Sequence, residues 1–316
     1  VLGAGAVCLL CCAGAARGDD TAAKAAEKTC PERLAAPHLP NAYRLHEKVI
    51  SGGLPEGAAG YRLLQEMGVK TIITVDGAKP DVEMARKFGM RYVHMPHGYD
   101  GIPVSRGKEL AKAVRDLPGP VYIHCHHGKH RSPAAAVVAC VTLGWLPHER
   151  AEQTLKTIGT GTNYKGLYQA ADKARPVDAG QLDALDVSYP ETVQIPPLAE
   201  AMVAIEQTFD HLKLLSQSQW KPLAEHPDLD AAHEALLLRE HYTELLRTEE
   251  VQREPPEFQQ HLKDCEANAV RLEKVLSATP LDAPQANQAF ARATQNCTHC
   301  HARFRDLPRK QSESPP

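Results

Sequence analysis

The run His124-Cys125-His126-His127-Gly128-Lys129-His130-Arg131-Ser132 gathers a thiol, a guanidinium, a hydroxyl and several imidazoles within one loop's length. It follows the β-rich residues Val121–His124 and precedes Pro133 and an Ala/Val-rich stretch, so the local order is strand, loop, helix N-terminus. Pro in the first helical turn costs nothing, because its missing N–H would have no partner there. Backbone N–H groups and the positive end of the helix dipole converge inside such a loop and form an anion site. The same field favours negative charge on the Cys125 sulfur. The planar fork of Arg131 can bind two phosphate oxygens at once. Gly128 lets the backbone turn an N–H inward, and Ser132 can donate to the sulfur and steady it as a leaving group. A Cys and an Arg at this spacing are common by chance; the preceding His, central Gly and following Ser make the signal specific. The chemistry is phosphoryl transfer through a covalent cysteinyl-phosphate. The alternatives are a sulfur-carrying loop of the rhodanese kind, which needs neither Arg131 nor Ser132, and a phosphate-binding loop without activity.

Such chemistry needs a carboxylic acid to protonate the leaving oxygen and later activate water. Asp100, on the Gly/Pro-rich stretch Met95–Pro103, is the expected acid; Asp76 and Asp116 are the alternatives, and a solvated turn residue is the plain reading of Asp100. His126, His127, Lys129 and His130, with Gly128, are expected to bind substrate as a basic collar, more strongly below about pH 6.5 where His charges.

A second constellation lies near the other end. Cys297 and Cys300, followed by His301, form C-x-x-C-H. Two thiols three apart on a helix can make thioethers to haem vinyl groups while the His ligates iron. A thioredoxin-like pair would stand after a strand, and a zinc site would need a second close ligand pair, which the sequence lacks. Cys140 and Cys265 lie on apolar faces and are expected in cores.

The elements that must position these groups differ between the two halves. Val49–Ser51, Thr71–Val75, Arg91–His94 and Val121–His124 read as strands, alternating with helices near 57–67, 81–88, 105–117, 133–143 and 147–157. That is a central mixed sheet flanked by helices, an α/β domain over 40–173. A Pro/Asp/Gly-rich linker at 174–196 follows. Over 197–307, the stripes Leu198-Met202-Ile205-Phe209-Leu212-Leu215, Leu238-Tyr242-Leu245, Phe258-Leu262-Cys265-Ala269-Leu272-Leu276 and Phe290-Ala293-Cys297-His301-Phe304 keep helical spacing. Breaks at 221–230, 253–256 and 279–284 separate four helices, so an all-α four-helix bundle is expected.

Residues 1–18 read as a secretory signal, with a short membrane anchor or buried helix as the alternative; 19–39 read as a disordered lead and 308–316 as a tail. Export to a periplasmic or other extracytoplasmic compartment follows, with no spanning segment in the mature chain. The composition excludes a disordered or collagen-like chain, with 43% hydrophobic and 24% charged residues. Lys+Arg 36 against Asp+Glu 39, and only 5% aromatic residues, give no pull towards nucleic acid. Charge also divides the chain: Lys+Arg number 23 against 19 Asp+Glu up to residue 189, and 13 against 20 beyond it.

With its H-C-x-x-G-x-x-R-S signature, the front domain resembles the Cys-dependent dual-specificity phosphatases. Gly128-Lys129-His130-Arg131 is most similar to their atypical branch of plants and fungi, which acts on inositol pyrophosphates or phosphoproteins. The resemblance implies Cys125 as nucleophile, Arg131 as phosphate binder, Asp100 as acid, and a phosphoprotein or polyphosphorylated small molecule as substrate. Residues from about 192 to 307, ending in Cys297, Cys300, His301, Phe304 and Arg305, resemble the class II c-type cytochromes, the cytochrome c-prime family. This resemblance implies a covalent haem c, His301 as proximal iron ligand, and a sixth position open or filled from the first helix, where Met202 stands. Together the resemblances describe an exported phosphatase with a haem in a redox or gas-responsive role and a redox partner. The alternative is an electron-carrying or gas-binding cytochrome whose front domain only binds phosphorylated ligands.

Overall fold

The structure, a computed structural model, describes residues 31–307. The signal segment 1–18, residues 19–30 of the lead and the tail 308–316 lie outside the described residues. The rest of the lead is ordered, which corrects the expectation for 31–39. Glu32–Arg33 forms strand β1 on the sheet edge, and Leu39 is buried against one face of the sheet.

β2 (Tyr43–His46) and β3 (Val49–Gly52) follow as a hairpin with a register shift between Arg44 and His46. The chain then alternates helix and strand: α1 (Gly57–Glu66), β4 (Thr71–Thr74), α2 (Val82–Lys87), β5 (Arg91–His94), α3 (Val104–Asp116), β6 (Val121–His124) and α4 (Arg131–Thr142). α5 (Ala151–Ile158), α6 (Lys165–Lys173) and α7 (Ala179–Asp183) complete the front region. The six-stranded sheet has the order β1-β2-β3-β6-β4-β5; β1, β2 and β3 are antiparallel, and β3, β6, β4 and β5 run parallel.

Helices cover both faces of the parallel strands, and that is why those strands are apolar throughout rather than alternating. Val49, Ile73, Val93 and Ile123 point to the face covered by α3 to α6, and Ile50, Ile72, Tyr92 and Tyr122 to the face covered by α1 and α2. Burial of each such side chain contributes roughly 1.5–3 kcal/mol before chain entropy is subtracted. α4 is buried along its whole length, as its Ala/Val composition requires. Because β6 lies between β3 and β4, the parallel strands deliver Gly52, Thr74, His94 and His124 to one common edge. In open sheets of this kind, that edge is where ligands bind.

Residues 174–196 run back along the front region rather than hanging free. Val177 N donates to Thr142 O, Leu182 is buried in the core, Arg115 pairs with Asp183, and His94 N donates to Pro190 O. The helical region comprises α8 (Pro197–Gln217), α9 (Ala231–Arg247), the short α10 (Glu249–Arg253), α11 (Pro256–Leu276) and α12 (Ala283–Phe304). The four long helices share one apolar core, to which Leu212, Leu238, Leu262 and Ala289 contribute from successive helices. α9 packs against α8 and α11, α11 packs against α12, and Phe209 of α8 stacks on Phe290 of α12. Asp230 caps α9, Thr248 caps α10 and Asp282 caps α12, each side chain accepting a backbone N–H of the first turn. None of the described helices is long and apolar enough to cross a membrane.

Candidate active site on the loop 125–131

The loop between β6 and α4 is shaped by what binds its carbonyls from outside. Leu54 N donates to His126 O, Asn41 Nδ2 to Gly128 O and Thr160 Oγ1 to Lys129 O. Three of the loop's carbonyls are thus engaged by groups outside it, and the His126 N–H is taken by Asp76 Oδ2. Gly128 has φ +70°, and a Cβ there would collide with the backbone of Gly52 and Gly53 and lie 2.8 Å from Pro40 O. No other residue type fits that turn without moving the β3 end.

Cys125 is 3% exposed, with its sulfur 3.3 Å from Ser132 Oγ. The Ser132 hydroxyl also lies 2.9 Å from Gly52 O, so its one hydrogen has two acceptors, the carbonyl and the sulfur. At the other end of the loop, Arg131 is 7% exposed. Its Nη2 pairs with Asp76 Oδ2 at 3.3 Å, and its Nε is buried with no hydrogen-bond partner among the described residues. The Tyr99 ring lies 4.4 Å from the Arg131 guanidinium carbon. A buried, charged fork with an unpaired N–H is suited to a second anionic partner.

Asp76 ends β4. Burial pushes its carboxyl up, but the Arg131 charge, His124 and the amides of Ala78 and His126 together hold it below the usual carboxylate range. Asp76 thus joins the two ends of the loop as a carboxylate paired with Arg131. Asp100 is half-buried on the segment after β5, next to Tyr99. Its main chain packs on Gly166 of α6 where a side chain would not fit, and Gly98 leaves room for its carboxylate. The segment carrying the expected acid therefore touches the loop through Tyr99.

The imidazoles divide into two groups. Burial lowers His124 to about 4, and its ring lies between Tyr92 and Tyr122. Burial also lowers His97 to about 4, and its buried Nε2 has no hydrogen-bond partner among the described residues. His130 is pushed down to about 4 by burial and the nearby Arg305, and it packs on Tyr164 with ring centroids 4.2 Å apart. His130 is half-buried and Lys129 is exposed. His126, half-buried, and His127, still exposed, both contact the helical region. His126 Nε2 lies 3.3 Å from Asp210 Oδ2, and His127 Nε2 lies 3.3 Å from Glu206 Oε1. The contact with Asp210 raises His126 above its ordinary value.

These contacts place α8 and the end of α12 over the loop. Arg305 stacks on the Tyr99 ring at 4.3 Å and reaches Tyr164 OH, while Asp306 accepts from Asn163. Gly77, just past β4, leaves space filled by Ile195, Ala199 and Val203. His97, Tyr99, Glu206, Asp210 and Arg305 are neighbours that the sequence reading did not assign to the site, whereas Asp76 was named there as an alternative acid.

The C-x-x-C-H residues lie on the last turns of α12. Cys297 points between helices, its sulfur 3.5 Å from Tyr242 OH of α9 and beside Cys265 of α11. The contact with Cys265 holds the Cys297 thiol down at about 7 and pushes Cys265 up. Cys300 is buried, and burial raises its thiol to about 11. Burial lowers His301 to about 4, so its ring is neutral. Met202 is half-buried against the helical core, one turn before Glu206. Cys125, Cys140, Cys265, Cys297 and Cys300 are all free thiols, and Cys140 and Cys265 are core residues as expected.

No protein-family model matches this chain, and no curated protein matches it either. Solved structures similar to it include P. aeruginosa TpbA, at 20% identity over 49% of this chain and 94% of that one, with a TM-score of 0.40. A putative phosphatase (DUF442) from Shewanella putrefaciens is similar at 20% identity over 43% and 95%, with a TM-score of 0.36. The core catalytic domain of the S. cerevisiae PP-IP phosphatase SIW14 is similar at 16% identity over 60% and 99%, with a TM-score of 0.33.

Proposed function

We propose that this chain hydrolyses phosphate monoesters through Cys125 and that its helical region carries a covalent haem. The observation that supports the first part is the loop itself: outward carbonyls, a buried sulfur at one end, and a buried guanidinium with an unpaired Nε at the other. The loop amides and Arg131 bind the phosphoryl oxygens, and this orients phosphorus on the Cys125 sulfur. The thiolate attacks phosphorus as the P–O bond to the leaving group breaks. Asp100 gives its proton to that oxygen. In the second half, Asp100 takes a proton from water, whose oxygen attacks phosphorus, and the S–P bond breaks to return the thiolate and free phosphate. Ser132 turns its hydrogen from Gly52 O to the sulfur as charge returns there.

The atypical dual-specificity subclass is the finer reading, and polyphosphorylated or phosphoprotein substrates go with it. Turnover of an aryl phosphate by the full chain, compared with Cys125→Ser, tests the activity. Retained turnover in the variant would overturn it.

For the second part, the donor chemistry fits. Two free thiols one turn apart on α12 and a neutral imidazole beside the second are the groups a tethered haem uses. Cys297 and Cys300 would hold the group, His301 would bind its iron, and Met202 stands on the facing helix. A bound haem would supply one-electron or gas-binding chemistry. Absorbance that stays with the chain after denaturation and acid-acetone extraction tests this, and extractable haem would refute it.

A further inference from the structure

We propose that His126, His127 and Asp210 form a site for a divalent transition-metal ion of the zinc class, clasping the 125–131 loop to α8. One ligand atom from each of the three lies within 4.8 Å of the others. Glu206 stands one turn before Asp210 on the same helix, its Oε1 3.3 Å from His127 Nε2.

Two ordinary ion pairs are the simpler reading of these contacts, but the geometry goes further. An ion pair needs one imidazole and one carboxylate. Here two adjacent imidazoles pack edge-on with centroids 4.3 Å apart and face two carboxylates spaced one helical turn apart. If both rings carried a proton charge, they would repel at that distance; a metal keeps both neutral and uses their lone pairs. Zinc–ligand bonds of about 2.0–2.2 Å set the edges of a coordination tetrahedron at about 3.3–3.5 Å. The 3.3 Å separation between His126 Nε2 and Asp210 Oδ2 already has that length.

The backbone under the site is fixed, as a metal site requires. His126 N donates to Asp76 Oδ2 and His126 O accepts from Leu54 N. Imidazole and carboxylate donors suit zinc, cobalt or nickel, and the absence of thiolate from this donor set disfavours copper(I). Cys125 is buried inside the loop and is not a donor here.

On the phosphatase reading, the clasp holds α8 over the mouth of the loop, so bound zinc lowers turnover. The test is zinc binding to the full chain, with X-ray absorption at the zinc edge on protein holding one equivalent. The expected first shell is nitrogen and oxygen at about 2.0 Å without sulfur at about 2.3 Å. Asp210→Asn, a half-exposed position, and His127→Gln are each expected to weaken zinc binding at least about 10-fold. A sulfur shell at one equivalent, or wild-type affinity in both variants, would overturn the site. Zinc is also expected to inhibit aryl-phosphate turnover in the wild type and not in Asp210→Asn. A chain that binds zinc as described but never turns over aryl phosphate, with zinc removed, supports the metal site while refuting the phosphatase reading.

Discussion

One oxygen of Asp76 bridges both ends of the loop: Oδ2 accepts the His126 N–H at 2.6 Å and pairs with Arg131 Nη2 at 3.3 Å. Both side chains of the pair are nearly inaccessible, at 5% and 8% exposure. Removing one partner of such a buried pair leaves an uncompensated charge, at a cost of about 3–5 kcal/mol. Asp76→Asn is therefore expected to lower the melting temperature clearly and to cut kcat/KM, while Asp76→Glu recovers part of both. The folded-state value of Asp76 is depressed, so its stabilisation is complete above the unfolded value of about 3.9 and is lost as pH falls through the lower folded value.

Gly128→Ala is expected to abolish turnover and destabilise the protein, because φ is positive and the β3 backbone occupies the Cβ position. Gly144→Ala is the control. It has the same φ of +70° with open space around it, so it pays backbone strain of about 1 kcal/mol without touching the loop. Melting curves and turnover of the two variants check this.

Asp100→Asn is expected to lower turnover about 10²–10⁴-fold and to flatten the pH profile of kcat/KM. Substrates with good leaving groups should lose less, because they need less protonation. An unchanged profile would move the acid to another group or to substrate.

Burial lowers His97, His124 and His130 to about 4 from 6.5. Between those values the unfolded chain binds more protons than the native one, so stability rises with pH there. It is complete above about pH 6.5 and lost as pH falls towards 4. A melting temperature that climbs from pH 4.5 to 6.5 is expected, less steeply in His130→Gln.

The Glu206 carboxylate lies against the loop, its Oε1 3.3 Å from His127 Nε2, and so brings negative charge beside it. Glu206→Gln, measured in chelator, is expected to lower KM for a phosphate monoester several-fold with little change in kcat. An unchanged KM would mean that the charge does not reach the substrate.

What was legible in the sequence follows from distance along the chain. Strand β6, the loop and α4 are contiguous, so Cys125, Arg131 and Ser132 could be read together, and the periodic stripes of α8, α9, α11 and α12 located those helices. β1 was not expected because a two-residue strand shows no alternation. α6 and α7 are short and carry few apolar residues. The loop's supports are remote: Asp76 lies 50 residues from His126, Asn41 lies 87 from Gly128, and Asp210 lies 84 from His126. No local pattern announces such pairs. Nor did the Pro/Asp/Gly content of 174–196 disclose its hydrogen bonds to His94 and Thr142, because those join backbone to backbone or to a distant side chain.

The most direct measurement is to trap the covalent intermediate. Full-length protein mixed with an aryl phosphate, quenched in acid and digested, should show one phosphoryl group on the Cys125 peptide, with steady-state turnover before the quench and neither in Cys125→Ser. Turnover that persists in Cys125→Ser, or wild-type protein that binds the ester without releasing phosphate or forming phosphocysteine, would contradict the account.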